Sequence, residues 1–317
     1  MTSRRHFINR SMTTLASITF LGKEAFTITN SFSIPDEKKQ NMLCAFSKPF
    51  DFLKDDMFSL LADAGFQGID LTVRTSGFVS PEHVEKELQK AVDYAQKKGL
   101  AVPMIATGIT DAKDPESVRI LKTASEAGIR HYRTGYFYYD PKISTDQNLA
   151  IFRDELLRLA ELNEEYNIQA CYQNHVGNMF GSSVWDLWFL IKDFDPRLIG
   201  SQYDIRHAVV EGFTAWESSL NAISSHIGTI CMKDFIYEKH NGKWQVRSVP
   251  LGTGVVDFGK FFSIIREKSI HAPISMHYEF PLLNEKDKSL PDKDKMIKML
   301  PVIRKELEYL KQLKVEN

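Results

Sequence analysis

Ile199-Gly200-Ser201-Gln202-Tyr203-Asp204-Ile205-Arg206-His207 is a short strand-like run that ends abruptly in acidic, basic and imidazole side chains. The same arrangement recurs on both sides of it. Apolar-rich runs fall at residues 42–46, 68–71, 102–106, 131–135, 169–173, 199–203, 228–232 and 274–278, which makes eight. Longer amphipathic segments separate them, the pattern of repeated βα units and a parallel sheet. Helix starts are marked by Ser80 before Pro81 and by Asp114 before Pro115, a capping side chain followed by proline at the first helical position. Gly65, Gly99 and Gly128 stand where helices end in a left-handed residue, and a last helix is expected over about 294–314. Eight units without a Pro/Gly/Ser-rich linker predict a single (β/α)8 TIM barrel, parallel and eight-stranded, over residues 42–317. The doubly wound alternative lacks a Gly-x-Gly-x-x-Gly turn after its first strand. The length of 317 residues suits one large α/β core.

The formal net charge of −1 gives no footprint for nucleic acid, so small, roughly neutral partners are expected. Three cysteines, Cys44, Cys171 and Cys231, are too few and too scattered for a disulfide framework. Residues 1–35 read as a signal and linker rather than as fold. Ser3-Arg4-Arg5-His6-Phe7-Ile8 precedes a short, interrupted apolar segment over 15–22, and together they resemble a twin-arginine export signal. That resemblance implies a periplasmic or extracellular location and no stable membrane insertion after export, since the apolar segment is far shorter than a bilayer span. The alternative is a basic N-terminus on a cytosolic protein.

In a barrel of this kind the active site forms at the carboxyl ends of the strands. Those ends carry Gln173, Asn174 and His175; Asp204, Arg206 and His207; Lys233 and Asp234; and His277 and Glu279. Side chains alternate along a strand, so Gln173 and His175 share one face, as do Cys231 and Lys233, and Ser275, His277 and Glu279. Any one of these is ordinarily a satisfied polar group, but four successive strand ends bearing them together point to a site. Asp70 and Arg133 fit either the pocket wall or a structural ion pair. After the seventh run, residues 236–256 form a long loop with Asn241-Gly242, a type I′ hairpin turn, and Trp244. Trp244 suits either stacking on a sugar ring or packing against Phe235 or Tyr237.

Four stretches, Tyr172-Gln173-Asn174-His175, Gln202-Tyr203-Asp204-Ile205-Arg206-His207, Met232-Lys233-Asp234-Phe235 and Pro250-Leu251-Gly252-Thr253-Gly254, resemble the xylose isomerase-like TIM-barrel family of sugar isomerases and epimerases. The resemblance runs from about residue 42 to the C-terminus. It implies a small carbohydrate substrate and proton transfer next to a sugar carbonyl. It also implies a divalent metal held by Glu, Asp, His and Glu from the fifth to eighth strands. Asp204 then matches the Asp ligand, Glu279 the last Glu, and His207 the histidine that contacts substrate. Two positions depart from the pattern, Gln173 replacing the first Glu and Cys231 the His. Gln173 retains a carbonyl oxygen and Cys231 a thiolate suited to zinc, so manganese, magnesium, zinc and no metal all stay open. The expected proton carriers are His207, His175, Lys233 and Glu279, and the expected substrate contacts are Asn174, Arg206, His277, Trp244 and Arg133. With no Gly-rich phosphate loop, a non-phosphorylated sugar or keto-glycoside is expected, undergoing isomerisation, epimerisation or β-elimination. The competing expectation is a carbohydrate-binding barrel without catalysis.

Overall fold

Parallel strands covered on both faces are apolar along most of their length; the runs at 43–46, 101–106 and 227–232 meet that condition, whereas those at 131–133 and 199–204 carry polar side chains into the barrel. The computed structural model describes residues 41–315. In chain order the strands are β1 (Leu43–Phe46), β2 (Gly68–Thr72), β3 (Ala101–Ala106), β4 (His131–Arg133), β5 (Gln169–Gln173), β6 (Ile199–Asp204), β7 (Ile227–Met232), β8 (Asp234–His240), β9 (Lys243–Val249) and β10 (Ile274–Met276). Strands β1 to β7 and β10 pair in parallel around a closed barrel, sealed where Leu43 faces Ile274. β1, β2, β6 and β10 are buried throughout. The export segment with Arg4 and Arg5 lies outside the described residues. Among the described residues no helix is long and apolar enough to cross a membrane.

The helix ends follow local chemistry. Asp114 accepts a hydrogen bond from the Glu116 amide at 3.0 Å, and Pro115 opens the helix Pro115–Glu126. Gly65, Gly99 and Gly128 take the expected positive φ of 98°, 77° and 82°. Ser80 departs from expectation: its side chain makes no cap bond, because Pro81 opens a 3-10 turn, Pro81–His83, before the helix Val84–Lys97. The last helix, Asp292–Val315, begins slightly earlier than expected.

The loop after β7 is an antiparallel hairpin of β8 and β9, turned at Asn241 and Gly242 with φ of 49° and 79°. Two positive φ values define the type I′ geometry. Asp234 ties this excursion back to the barrel mouth. Its carboxylate accepts hydrogen bonds from the amides of Phe235, Gly252, Gly254 and Val256 at 2.8, 3.0, 2.8 and 3.2 Å. A Cβ at Gly254 would lie 2.2 Å from Asp234 Oδ1, so only glycine permits that approach. Trp244 does not take the packing role. It pairs across the hairpin with Lys239 and is 71% exposed, while Phe235 and Tyr237 pack edge-to-face with each other at 5.1 Å. Trp244 shares a face with half-buried Val246 and Ser248 but stands next to the hairpin tip, where all of Lys243, Trp244 and Gln245 are exposed.

Candidate active site

The spacing of Asp204 and His207 is that of a helix cap. Asp204 ends β6, takes extended backbone angles, and accepts from the His207 amide at 3.1 Å at the start of the helix Ile205–Gly212. Asn174 clamps the same residue, donating to the Asp204 carbonyl at 2.9 Å and accepting from the Asp204 amide at 2.8 Å. Fully buried, Asn174 is a fastener between β5 and β6, not the substrate contact expected of it.

Around Asp204 the strand ends converge as their alternation requires. Lys233 reaches across from the end of β7 with its Nζ 2.9 Å from Asp204 Oδ2, 2.9 Å from Glu279 Oε1 and 3.0 Å from His207 Nε2. Gln173 Nε2 donates to Asp204 Oδ2 at 2.8 Å. Its Oε1 accepts from Arg133 Nη1 at 3.2 Å and from the Tyr136 hydroxyl at 2.7 Å. Arginine is only a donor and a carboxylate only an acceptor, so this network admits one orientation of the Gln173 amide.

The electrostatics follow from burial and these contacts. Burial opposes ionisation of Asp204, but the fields of His207 and Lys233 and the Lys233 hydrogen bond hold its carboxyl well below the usual range. Because His207 is itself held neutral, Lys233 carries most of that effect. For Lys233, burial is outweighed by Asp204 and then Glu279, and the ammonium is held charged above its ordinary pKa. Burial pushes Glu279 up, but Lys233 and His277 bring it below its ordinary value. His207 lies between two cations, with Arg206 Nη1 3.0 Å from its Nδ1 and Lys233 at its Nε2. A neutral ring can accept from only one of them, and a second ring proton would set an N–H against each cation. Burial first, then Lys233, His175 and Arg206, lower its pKa far below normal against the pull of Asp204.

A cavity of about 520 Å³ opens at this mouth. His175, Lys233, His277 and Glu279 line it from the ends of β5, β7 and β10, and Arg74, Arg133 and Tyr136 line it from the other side. His207 and Asp204 do not reach it; they lie one layer deeper, with the His207 ring 4.1 Å from that of His175. Of the adjacent rings of His175 and His207, it is therefore His175 that faces the cavity, together with His277. The Nδ1–H of His175 donates to the Val176 carbonyl at 2.8 Å, which leaves the Nε2 lone pair free to accept. Burial, followed by Lys233, lowers its pKa and favours that neutral form.

His277 stacks on Phe46 at 4.0 Å, with Nε2 3.7 Å from Asp70 Oδ2, and Ser275 Oγ donates to the same oxygen at 2.7 Å. Asp70 and Arg133 form no ion pair: Asp70 backs His277, and Arg133 joins Gln173 and lies over the Phe46 ring at 5.6 Å. Arg206 also departs from its expected role. It stacks over Phe235 at 5.8 Å and touches His207, outside the cavity lining. Trp244 is likewise outside that lining. Tyr136, Arg74 and Phe46 were not singled out in the sequence, although each lies at or just past a strand end, where all eight ends warranted inspection.

The divalent metal implied by the family resemblance meets an unsuitable donor set. Asp204 Oδ2 already accepts from two N–H donors, and Oδ1 from a backbone amide. Gln173 turns its N–H groups, not its carbonyl, toward Asp204. Cys231 is fully buried, and burial followed by the Asp204 charge pushes its thiol well above the ordinary value. Among the described residues no three His, Cys, Asp or Glu side chains are placed to hold a metal ion. The residues present do not fit a divalent cation.

Comparison with known proteins agrees with this architecture. The model of the xylose isomerase-like TIM barrel family matches residues 58–312. No curated protein matches the sequence. Among solved structures, the fold is similar to a D-allulose 3-epimerase from Methylomonas sp., with 16% identity, 86% of this chain and 98% of that one covered, and a TM-score of 0.62. It is similar to a 3-keto-D-glucoside 4-epimerase from E. coli, with 14% identity, coverages of 86% and 100%, and a TM-score of 0.62. A xylose isomerase-like barrel from Mycobacterium smegmatis in complex with magnesium gives 16%, 86% and 96%, and 0.61.

Proposed function

The chain belongs to the xylose isomerase-like TIM barrel family, and from that premise we propose that it moves a proton next to the carbonyl of a non-phosphorylated sugar or keto-glycoside. The observation that carries this reading is the pairing, in one cavity, of a free His175 Nε2 acceptor with the Lys233–Glu279 ion pair. His175 removes the proton α to the carbonyl. The C–H electron pair becomes the new C=C bond, and the carbonyl π electrons move to oxygen, where the Lys233 ammonium stabilises the negative charge. All three Lys233 N–H groups are engaged, so a substrate oxygen takes the place of its most accessible partner, Glu279, whose side chain is 40% exposed. Freed from Lys233, Glu279 loses the charge that depresses its basicity and becomes the second proton carrier. Around the barrel the strand of Lys233 lies between those of His175 and Glu279, which suits proton removal by one and return by the other. Return to the same carbon from the opposite face gives epimerisation; delivery to the former carbonyl carbon, with the α-hydroxyl giving up its proton to become the new carbonyl, gives isomerisation; loss of a leaving group β to the carbonyl gives elimination.

The substrate class rests on export: a chain carried out by Arg4 and Arg5 meets free sugars rather than phosphorylated intermediates. Changing both arginines to lysine should leave it in the cytoplasm, and unchanged secretion would remove that argument. For the chemistry, the test is deuterium exchange from solvent into the α-carbon of keto-sugars and keto-glycosides, with His175→Ala as control. Exchange by the wild type and its loss in the variant are expected. Binding without exchange would leave a carbohydrate-binding barrel instead.

A further inference from the structure

We infer that the Lys233 ammonium takes the place of the divalent cation implied by the family resemblance, so that this chain folds and works without a bound metal. The inference rests on the proton-transfer reading for its catalytic part only. Three observations carry it. The ammonium lies 2.9 Å from an oxygen of each carboxylate matched to a metal ligand, Asp204 and Glu279. Lys233 is 3% exposed and its three donors have three acceptors, so the position is built and filled.

The two departures from the family pattern are those an ammonium requires. A divalent ion among three carboxylates and a neutral histidine leaves one net negative charge. A univalent ammonium with Asp204, Glu279 and a neutral Gln173 leaves the same. Exchanging Glu for Gln at 173 therefore offsets the loss of one positive charge, and the amide N–H, 2.8 Å from Asp204 Oδ2, replaces a repulsion by a hydrogen bond. At 231 a fully buried cysteine stands in place of the imidazole. Each change alone would leave a defective metal site; together with Lys233 they make a satisfied one.

The test needs no substrate. The full chain is purified without chelator, its metal content is measured by plasma mass spectrometry, and its Tm is recorded with EDTA and with excess MnCl2, MgCl2 or ZnCl2. Well below one ion per chain and no Tm shift in either direction are expected, since an ion that binds only the folded state must raise Tm. A stoichiometric ion whose removal lowers Tm would overturn the inference. The combined variant Lys233→Ala/Gln173→Glu/Cys231→His, compared with wild type, should acquire a Tm rise with MnCl2; if it does not fold, the wild-type measurement still decides. The two readings fail separately. A metal-free chain that exchanges no substrate proton keeps this inference and loses the proposed reaction, whereas exchange that EDTA abolishes and manganese restores does the reverse.

Discussion

The two mouths of the barrel hold cavities of the same size, about 520 Å³ each, and both carry histidine, arginine and glutamate, yet their polar groups do different work. At the amino end of the strands Gln169 bridges His131 Nδ1, at 2.8 Å, to the Pro196 carbonyl. It fills space left by Gly200 and Gly228, where a Cβ would come within 2.6 and 2.0 Å of its side-chain atoms. The ion pair of that mouth, Asp195–Arg197, lies at the surface with Arg197 86% exposed. At the carboxyl end Asp204, Lys233 and His207 are buried, and their pKa values are driven apart. Cavity volume does not separate a site from a structural recess. Buried charge held in place does, because it costs stability that packing alone would not demand.

The sharpest way to break the contrast is to remove one charge from each mouth. Lys233→Met leaves Asp204 buried and unpaired, and should cost about 3–5 kcal/mol in chemical denaturation while also abolishing exchange. Arg197→Ala should cost less than about 1 kcal/mol, as exposed pairs do. Equal costs would mean the carboxyl-end network is not organised as described.

Rates sharpen the contrast next. His175→Ala should slow exchange by about 100- to 10,000-fold with the fold intact by circular dichroism, while His131→Ala leaves the rate within about twofold. Because burial lowers the His175 pKa, the base stays unprotonated at neutral pH, and activity should fall only on acidification below its ordinary value of 6.5. An acid limb above that value would assign the base elsewhere.

A smaller effect separates the catalytic wall from its backing. Glu306 on the last helix accepts from the Leu251 amide at 2.7 Å, and burial pushes its carboxyl up to about 7, with Asp234 adding to the effect and Lys305 opposing it. Its folded pKa exceeds the unfolded one, so its share of stability is present in acid and falls as pH rises from 4.5 towards 7. The slope is at most about 1.4 kcal/mol per pH unit. Buried histidines slope oppositely, so the quantity to measure is wild type minus Glu306→Gln, and a difference flat in pH would refute the shift. Least affected should be Trp244→Ala, whose exchange rate is expected within about twofold of wild type; a larger loss would bring the hairpin into the site.

Much of this site was legible as a set of residues and little of it as an arrangement. Gln173, His175, Asp204, Lys233 and Glu279 stood out because polar residues ended apolar runs, and the structure does bring them together. His207 also stood out, through the Asp-x-x-His spacing, but that spacing belongs to a helix cap, which seats the histidine beneath His175 rather than in the cavity. Asn174 looked like a contact for substrate and proved to be a fastener, since adjacent residues at a strand end point in opposite directions; Arg206 lies in the first turn of the helix Ile205–Gly212, which turns it to Phe235 and His207. Tyr136 and Arg74 come from loops whose path no periodicity encodes.

The sequence by itself determined the repeated βα pattern, the order of elements and the identities at the strand ends, because apolar periodicity, caps and turns act over a few residues. Only the tertiary structure decided which of those side chains meet. Closing the barrel brings together strand ends distant in the chain, and the reach of Lys233 to Asp204 and Glu279 at 2.9 Å depends on strand register. Gln173 and Cys231 could be marked as departures from a metal site in one dimension. That an ammonium fills the place between the carboxylates follows only from three-dimensional distances, since electrostatic energy depends on separation and burial, not on position along the chain.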